Sequence, residues 1–512
     1  MLIFTSLPNE CKTEIFEHLL TDRQTLYRCL LVNRFWCKNI IPSLWREPFR
    51  YKIHKVYLII RTYLLALTAD EQSTIIPFNI NFEHNQQPLL FEYGSYLEIF
   101  NCASFFDAAS KLLINQGHKD TEFSYSCQAI VGAITKMLMR TCRNLKSLNL
   151  SSVIVVPDSR IFESSKYGLS QLVELCLCLE NNSPKSLEIL NYLSTICHNL
   201  SKTFFIVREG NDPLPQNSIN SLVNLIMNQH ELKNFKLHEA AKSVNRIISS
   251  FISQQDSLTT IYFSNVSFDK ISNDSLEIFI KCKNIIQIQL YYCKGIKLSQ
   301  IKILKKSQFI LKSLILYQNE INISTLIDIW GFNLEHLDLD ELNSEIINFI
   351  TRCCQNLIDL TIKGSFDNLD LIFPWIKGSQ LKVFSLERTK FVGYFFGNEI
   401  NPVFTELGKN LPNSLNYLKI KGWKLMENVL GQILEVCKLE MLEILLIEPF
   451  SEQIKLNHLI DIKEFLRRNR SVKKVEINFH KTENPWTKEE EKVINEIEEE
   501  FDISIIKNEI YD

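Results

Sequence analysis

Fourteen cysteines and ten histidines are the side chains of this chain best suited to metal binding or nucleophilic catalysis. The closest cysteine pairs are Cys176 with Cys178 and Cys353 with Cys354, and neither has the C-x-x-C spacing of a zinc site. A catalytic cysteine needs a base beside it. The sequence also lacks G-x-S-x-G, H-E-x-x-H and glycine-rich phosphate-binding motifs. We therefore expect no catalytic residue, no metal, no cofactor and no enzymatic activity of the chain alone.

Four of the cysteines recur in one phrase, Cys-x-Asn followed by Leu or Ile. After this, apolar residues alternate with variable ones. The last two apolar side chains of the phrase therefore lie on one face of a short strand, and the variable residue between them points the other way. Looser copies without the cysteine bring the total to thirteen, 23 to 34 residues apart. The four cysteines occupy the same position in the repeated phrase. A free buried cysteine acts as a small hydrophobe, so this shared position predicts that they pack in the core. The four cysteines are Cys142, Cys197, Cys282 and Cys354.

Helical spacing fills the intervals between the copies, as in Ile346, Ile347 and Ile350. A single short strand cannot bury its own apolar face, so strand-helix units at this period predict a stacked array. The expected fold class is α/β, a leucine-rich repeat solenoid or horseshoe whose strands line a concave surface. The phrase resembles the cysteine-containing class of leucine-rich repeats over residues 142–480. An unrelated α/β domain with leucine-rich strands is the alternative.

Variable positions beside the apolar strand residues should project from the concave face. Three tyrosines from adjacent repeats would form an aromatic strip, and tyrosine is enriched at binding hot spots. Two aspartates define an acidic repeat, and later lysines define a basic one. Ordinary surface polarity is the alternative interpretation. The candidate substrate surface comprises Tyr262, Gln289, Tyr291, Tyr317, Asp338, Asp340, Lys419 and Lys421.

The first 49 residues predict three short helices, the third of them stopped by Pro42. A bundle this small has more apolar side chains than it can bury, so some of them need a partner surface. The alternative is that the bundle is a cap on the first layer of the solenoid.

Leu7-Pro8-x-Glu10, Ile15-Phe16, Val32-x-Arg34-x-Trp36 and Leu44-Trp45 together resemble an F-box. The resemblance implies a Skp-type adaptor and a cullin-RING ubiquitin ligase as partners, and a protein substrate of unknown identity on the repeats. It implies that Trp36 and Trp45 tie the helices together and to the segment that follows. The residues that it places against the adaptor are Leu7, Pro8, Ile15, Phe16, Leu19, Leu31 and Val32.

We predict four segments: an F-box over 1–49, a helical linker with degenerate first repeats over 50–141, the solenoid over 142–480 and a C-terminal cap over 481–512. In the cap, Thr487 and Glu490 have the spacing of a capping box.

The net charge of −3 leaves no overall electrostatic footprint for nucleic acid or an anionic membrane, although it does not exclude a local basic patch. The start has no secretory signal, and the longest apolar run, Val56 to Leu67, is too short to span a bilayer. We expect an intracellular protein of the cytoplasm, the nucleus or both. The leading hypothesis is the substrate-recognition subunit of a ubiquitin ligase. The rivals are a repeat scaffold or inhibitor without a ligase role and, less favoured, an RNA-binding solenoid.

Overall fold

The structure is a computed structural model of the 512-residue chain. It divides into two compact units. The first contains Met1–Leu258 and Lys270–Cys282, and the second contains Thr259–Asp269 and Lys283–Asp512. The structure describes residues 8–19, 22–50, 55–78, 80, 89–118, 123–152, 157–163, 166–210, 212–363, 369–387, 401–423, 429–437, 439–449, 456–480, 486–501 and 503–510.

The first unit begins with a head of three helices, α1 Asn9–His18, α2 Arg23–Leu30 and α3 Arg34–Trp45. Asp22 caps α2 by accepting the Thr25 N–H at 3.0 Å, and Asn33 caps α3 by accepting the Trp36 N–H at 2.9 Å. The prediction that Pro42 stops the third helix was wrong, because α3 continues through this proline to Trp45. These two caps define where α2 and α3 begin.

The segment after the head already contains the first repeat. A short strand lies before two long helices, and Glu71 in the preceding helix is buried and receives two hydrogen bonds from Arg140, at 3.0 and 3.1 Å. This ion pair between a buried glutamate and an exposed arginine links the two helices that contain them. The elements are α4 Tyr57–Leu64, α5 Ala69–Ser73, β1 Ile99–Asn101, α6 Cys102–Asn115 and α7 Phe123–Thr141, with 3₁₀ helices at Ile76–Phe78 and Tyr93–Tyr96.

The rest of the first unit alternates strands and helices, and consecutive strands from β1 to β5 pair in parallel. The strands are β2 Ser147–Leu150, β3 Glu174–Glu180, β4 Lys202–Arg208 and β5 Asn234–His238. The helices are α8 Arg160–Glu163, α9 Lys166–Ser170, α10 Pro184–Ile196, α11 Gln216–Met227, α12 Val244–Ser249 and α13 Asn273–Ile280, with a 3₁₀ helix at Ser250–Gln254.

The second unit repeats the arrangement, with parallel pairing from β6 to β15 in chain order. Its strands are β6 Thr260–Ser264, β7 Gln287–Tyr291, β8 Ser313–Tyr317, β9 His336–Leu339, β10 Asp359–Lys363, β11 Val383–Glu387, β12 Tyr417–Trp423, β13 Ile444–Pro449, β14 Lys474–His480 and β15 Ser504–Ile510. Its helices are α14 Leu298–Leu304, α15 Ile323–Trp330, α16 Ser344–Cys353, α17 Phe373–Gly378, α18 Asn401–Asn410, α19 Val429–Val436, α20 Leu456–Arg468 and α21 Lys488–Phe501, with 3₁₀ helices at Gly331–Asn333 and Leu369–Ile372.

One hydrogen-bond pattern recurs where the strands begin. Two consecutive backbone N–H groups donate to a single carbonyl of the preceding repeat or helix, which we call a shared carbonyl. The N–H groups of Lys146 and Ser147 both donate to the Glu98 carbonyl, at 2.8 and 3.0 Å. In the second unit those of Glu335 and His336 donate to the Lys312 carbonyl, both at 2.9 Å. This pattern fixes the register of one repeat on the next.

The predicted α/β repeat solenoid is confirmed, since each of the thirteen copies of the phrase leads into a strand, β2 to β14. The paired apolar residues of the phrase are buried, as Leu148 and Leu150 are in β2. Two strands lie outside the thirteen copies: β1 is in the linker segment, for which degenerate first repeats were predicted, and β15 follows the C-terminal helix α21. Both lack the full phrase, which is why the period did not reveal them.

Buried side-chain amides also bind one repeat to the next, and this generates a first prediction. Gln254 accepts the Leu232 N–H at 3.1 Å and donates to the Ile226 and Gln229 carbonyls at 3.0 and 2.9 Å. Gln254→Leu leaves the buried Leu232 N–H without its acceptor, so the free energy of opening at the Leu232 amide should fall by about 2 kcal/mol, measured by hydrogen exchange. Gln255→Leu, next in the chain and half-buried, is the control and should change it by less than about 0.5 kcal/mol. An equal effect of both variants would contradict this account.

Candidate functional site

The cysteines of the repeat phrase are buried thiols. Burial raises the pKa of Cys142 to about 11 and those of Cys197, Cys282 and Cys354 to about 12. A nucleophilic or metal-binding cysteine needs the thiolate, which these surroundings disfavour. The Cys176 and Cys178 thiols also have pKa values raised by burial, to about 11.

The same phrase closes the turn between repeats. The Cys142 Sγ donates to the Leu97 carbonyl at 2.9 Å, and the Cys197 Sγ contacts the Leu169 carbonyl at 3.4 Å. Two residues after Cys197, the Asn199 amide donates to the Ser170 carbonyl at 3.1 Å. These residues therefore act in packing and in satisfying turn carbonyls.

Within the part of the chain that the structure describes, no group of three or more His, Cys, Asp or Glu side chains is arranged to hold a metal ion. Each helix in those ranges is too short or too polar to cross a bilayer.

The head has a small core of its own. Phe16 is 1% exposed and packs with Leu26 and Ile40, and its ring meets the Trp36 ring edge-on with centroids 5.4 Å apart. Leu19 is partly buried against the same core. The expectation that Phe16 faces the adaptor is therefore corrected, because its side chain is used inside the head. Adjacent apolar residues lie about 100° apart on a helix, so Ile15 and Phe16 cannot face the same way.

Other residues expected at the adaptor remain on the surface of the head. Leu31 is 87% exposed, Val32 is 41% exposed and Ile15 is 38% exposed, and Pro8 is also exposed. Leu31 and Val32 occupy the turn between α2 and α3. Leu7 lies outside the described residues. Leu31 and Val32 therefore do not pack in the core of the head, and they form an exposed apolar pair on its surface.

The last turn of α3 joins the head to the first repeat. The Trp45 ring contacts the rings of Tyr63 and Tyr93, with centroids 5.1 and 4.3 Å away. The Arg46 carbonyl accepts the backbone N–H groups of Glu98 and Ile99 at 2.9 and 3.2 Å. The Arg46 carbonyl is thus the shared carbonyl for β1, and the head supplies the first step of the hydrogen-bond pattern.

Strand register places the predicted surface residues on one sheet face of the second unit, which we call the candidate face. Tyr262 lies opposite Gln289 and Tyr291 opposite Tyr317, and Lys419 lies opposite Ser385, a residue of β11 outside the predicted set. The tyrosine strip exists: ring centroids of Tyr262 and Tyr291 are 5.2 Å apart, and those of Tyr291 and Tyr317 are 5.9 Å apart. Tyr292, which the sequence analysis did not select, extends the strip by an edge-on contact with Tyr317 at 5.4 Å. It has a φ of 53°, which no sequence pattern indicated for a tyrosine.

The charges of the candidate face are largely paired across strands. Lys419 Nζ lies 2.5 Å from a Glu387 oxygen, and Lys421 Nζ lies 2.9 Å from a Glu448 oxygen. The expectation of a basic repeat is therefore corrected, because glutamates of the neighbouring strands neutralise both lysines. The register that sets Glu387 beside Lys421 and Lys421 beside Glu448 produces this pairing.

The acidic repeat differs. The Lys363 Nζ lies 2.6 Å from Asp338 Oδ2, yet burial still raises the pKa of the Asp338 carboxyl. Asp340, one residue after β9, accepts the Gln318 N–H on Oδ2. Burial raises the pKa of Asp340 to about 6, against an opposing effect of that hydrogen bond. Asp340 therefore carries a charge that its surroundings disfavour.

Comparison with known proteins gives one family match, and it covers the head. Residues 4–51 match a family model described as F-box-like. One solved structure that resembles the chain is the crystal structure of the Rad7 and Elc1 complex in yeast, at 15% sequence identity and a TM-score of 0.38 over 76% of this chain and 91% of that one. No curated protein matches the chain.

The correction for Phe16 leads to a second prediction. Phe16→Ala removes most of a fully buried ring and should destabilise the head by about 3 to 5 kcal/mol. Ile15→Ala, one residue earlier and partly exposed, should cost less than about 1 kcal/mol. Hydrogen exchange over 9–45 measures both. Equal effects of the two substitutions would show that the assigned faces of α1 are wrong.

The raised pKa of Asp340 gives a third prediction. The folded-state pKa of about 6 exceeds the usual value of 3.8, so the folded chain binds this proton more tightly than the unfolded chain. The contribution of Asp340 to stability is thus full below pH 3.8 and is lost as the pH rises through 6. Asp340→Asn keeps an acceptor for Gln318 and should raise the free energy of unfolding by about 1 kcal/mol at pH 7.5. Urea denaturation should show this gain shrinking at pH 5, and a gain that does not change with pH would contradict the assignment.

Proposed function

We propose that this chain is the substrate-recognition subunit of an SCF-type ubiquitin ligase. The F-box-like head would bind a Skp-type adaptor of a cullin-RING complex, and the candidate face would bind a protein substrate. The observation that carries the proposal is the F-box-like match at residues 4–51 in front of an α/β repeat array. The chain would perform no bond chemistry itself, and its contribution would be proximity between a bound target and a recruited conjugating enzyme.

The exposed apolar turn of the head supports adaptor binding. Leu31 and Val32 would lie in the adaptor interface, with Ile15 and Pro8 beside them. Apolar side chains that are exposed in the free protein and buried in a complex give binding energy without a cost to the fold. The buried core of Phe16, Leu26 and Ile40 would hold the helices in place.

The buried thiols support a finer assignment of the repeats. We propose that they belong to the cysteine-containing class of leucine-rich repeats, since Cys142, Cys197, Cys282 and Cys354 occupy one phase and are all buried. Localisation to the cytoplasm or nucleus would accompany the ligase role, with these cysteines kept reduced.

A repeat scaffold whose head is only a cap is the second candidate, favoured by the contacts of Trp45 and Arg46 with the first repeat. Deleting the whole head does not separate the two functions, because it removes Trp45 and the Arg46 carbonyl in either case. Surface substitutions that leave α3 intact are therefore needed.

The test of the proposal is co-purification of the full chain with a Skp-type adaptor. Leu31→Ala combined with Val32→Ala should weaken the complex at least tenfold, which corresponds to about 1.4 kcal/mol, while the melting curve stays unchanged. The matched control is Leu90→Ala, which changes a leucine that is 81% exposed outside the head. It should leave adaptor binding as it is.

Two results would count against the ligase role. One is a wild-type chain that is folded and does not bind the adaptor, which would favour the scaffold. The other is a complex that the Leu31 and Val32 substitutions do not weaken, which would move the interface away from this turn.

A further inference from the structure

Positive charge accumulates in one repeat of the second unit. Residues 283–319 contain seven lysines and no arginine, aspartate or glutamate, although the whole chain has a net charge of −3. All seven lysines are exposed. The balanced overall composition therefore conceals a local basic patch. The lysines are Lys283, Lys294, Lys297, Lys302, Lys305, Lys306 and Lys312.

Most of these charges have no counter-charge. Lys312 pairs with Glu335 of the next repeat, at 2.7 Å. Lysines further along the unit commonly have carboxylate partners, as Lys363 and Lys463 do. The uncompensated charge is thus a property of this repeat and not of the unit as a whole. The lysines that form no ion pair with a carboxylate of the described residues are Lys294, Lys297, Lys302, Lys305 and Lys306.

Helix α14 gathers three of the unpaired lysines on one side. Leu298, Lys302 and Lys305 have the spacing i, i+4, i+7, so they form one exposed stripe along the helix. The Lys306 N–H donates to the Ile303 carbonyl at 2.9 Å, which places Lys306 on the same final turn. The side of the helix that packs against the unit is formed by Gln300, Ile301 and Leu304.

Helix stability does not account for this cluster. Lys302 lies three and four residues before Lys305 and Lys306, and like charges at these spacings repel each other. Lys297 precedes the first turn, where the positive end of the helix dipole disfavours a cation, and that turn contains no acidic residue. The negative end of the dipole favours lysines in the last turn only. The positive charge of the patch as a whole is therefore available to a partner.

Apolar side chains lie among the lysines. Leu298 is 62% exposed at the start of the stripe, and Ile310 is 61% exposed after the helix. A partner that covers this side of the repeat would gain from carboxylates opposite the lysines and from an apolar side chain against Leu298.

The width of the patch favours a single extended peptide. The 7 residues of α14 span about 10 Å, which is the length of about three residues of extended chain. The next repeat brings acidic residues: Glu320 is exposed and lies beside Lys294 in a parallel bridge, and Glu335 follows. A bilayer or a nucleic-acid duplex is wider than one repeat and would bring its phosphates against these glutamates.

We propose that Leu298, Lys302, Lys305 and Lys306, which we call the lysine surface, bind an acidic segment of a partner protein. The inference goes beyond the proposed function and does not depend on it, because the lysine surface lies on a helix and the candidate face lies on the strands.

The test uses the full chain at low ionic strength and ligand-observed NMR with the peptide acetyl-Gly-Glu-Glu-Leu-Glu-Glu-Gly-amide. In the comparison peptide, glutamine replaces each glutamate, which keeps the shape and removes the charge. We expect saturable binding of the acidic peptide with a dissociation constant on the order of 1 mM, and binding of the glutamine peptide at least tenfold weaker. Equal binding of the two peptides, or no saturable binding of the acidic one, overturns the inference.

Matched substitutions locate the lysine surface. Lys302→Gln, Lys305→Gln and Lys306→Gln in one variant should weaken binding of the acidic peptide at least fivefold, with an unchanged melting curve. The control combines Lys111→Gln, Lys233→Gln and Lys473→Gln, three exposed lysines that each pair with a carboxylate. It changes the net charge equally and should leave binding unchanged. If both variants weaken binding to the same extent, the peptide responds to net charge alone and the assignment fails.

Two further ligands test the choice of partner. Poly(U) and vesicles of phosphatidylcholine with phosphatidylserine should each bind more weakly to the full chain than the acidic peptide does. Tight binding of either one that the triple variant at the lysine surface abolishes would overturn the assignment to an acidic protein segment. Raising the salt concentration to about 1 M, where the screening length is about 3 Å, should abolish binding of the acidic peptide. Binding that salt does not change would also overturn the inference.

Discussion

The shared carbonyl is the interaction on which the rest of this structure depends. The strands are short, and at the start of most of them two consecutive backbone N–H groups donate to one carbonyl of the repeat before, which sets the register of the ladder that follows. These hydrogen bonds have similar lengths along the second unit. For example, the backbone N–H groups of Lys312 and Ser313 donate to the Ile286 carbonyl at 2.9 and 3.0 Å. Register in turn decides which side chains become neighbours, so the tyrosine strip and the paired charges of the candidate face are consequences of it.

An array of this kind needs a first carbonyl, and here the head provides it. The Arg46 carbonyl stands at the end of α3, held by the packing of Trp45 on Tyr63 and Tyr93. The head therefore has two faces with different tasks. Its end towards β1 continues the hydrogen-bond pattern, while its turn at Leu31 and Val32 exposes apolar side chains. An adaptor bound at that turn would be held in a fixed position with respect to the first unit.

The sequence contained enough to predict the period, the strands from β2 to β14 and the packing role of the cysteines. These features repeat, so each copy supports the others. The buried side of α1 was harder to predict, because Ile15 and Phe16 are both large and apolar. Only the packing of Leu26, Ile40 and Trp36 decides which of the two is buried. The neutralised lysines Lys419 and Lys421 depend on register across strands that are 27 to 34 residues apart in the chain. The buried oxygens of Asp338 and Asp340 require coordinates, since an aspartate in a variable position looks the same in the sequence whether or not it has donors.

Hydrogen exchange of the full chain with and without a Skp-type adaptor tests the central claim most directly. The account predicts that the adaptor slows exchange over 9–45, with the strongest protection at the turn that contains Leu31 and Val32. It predicts no change over the candidate face, which would remain available to a substrate. Protection that spares this turn, or no protection anywhere in the head, would contradict the account.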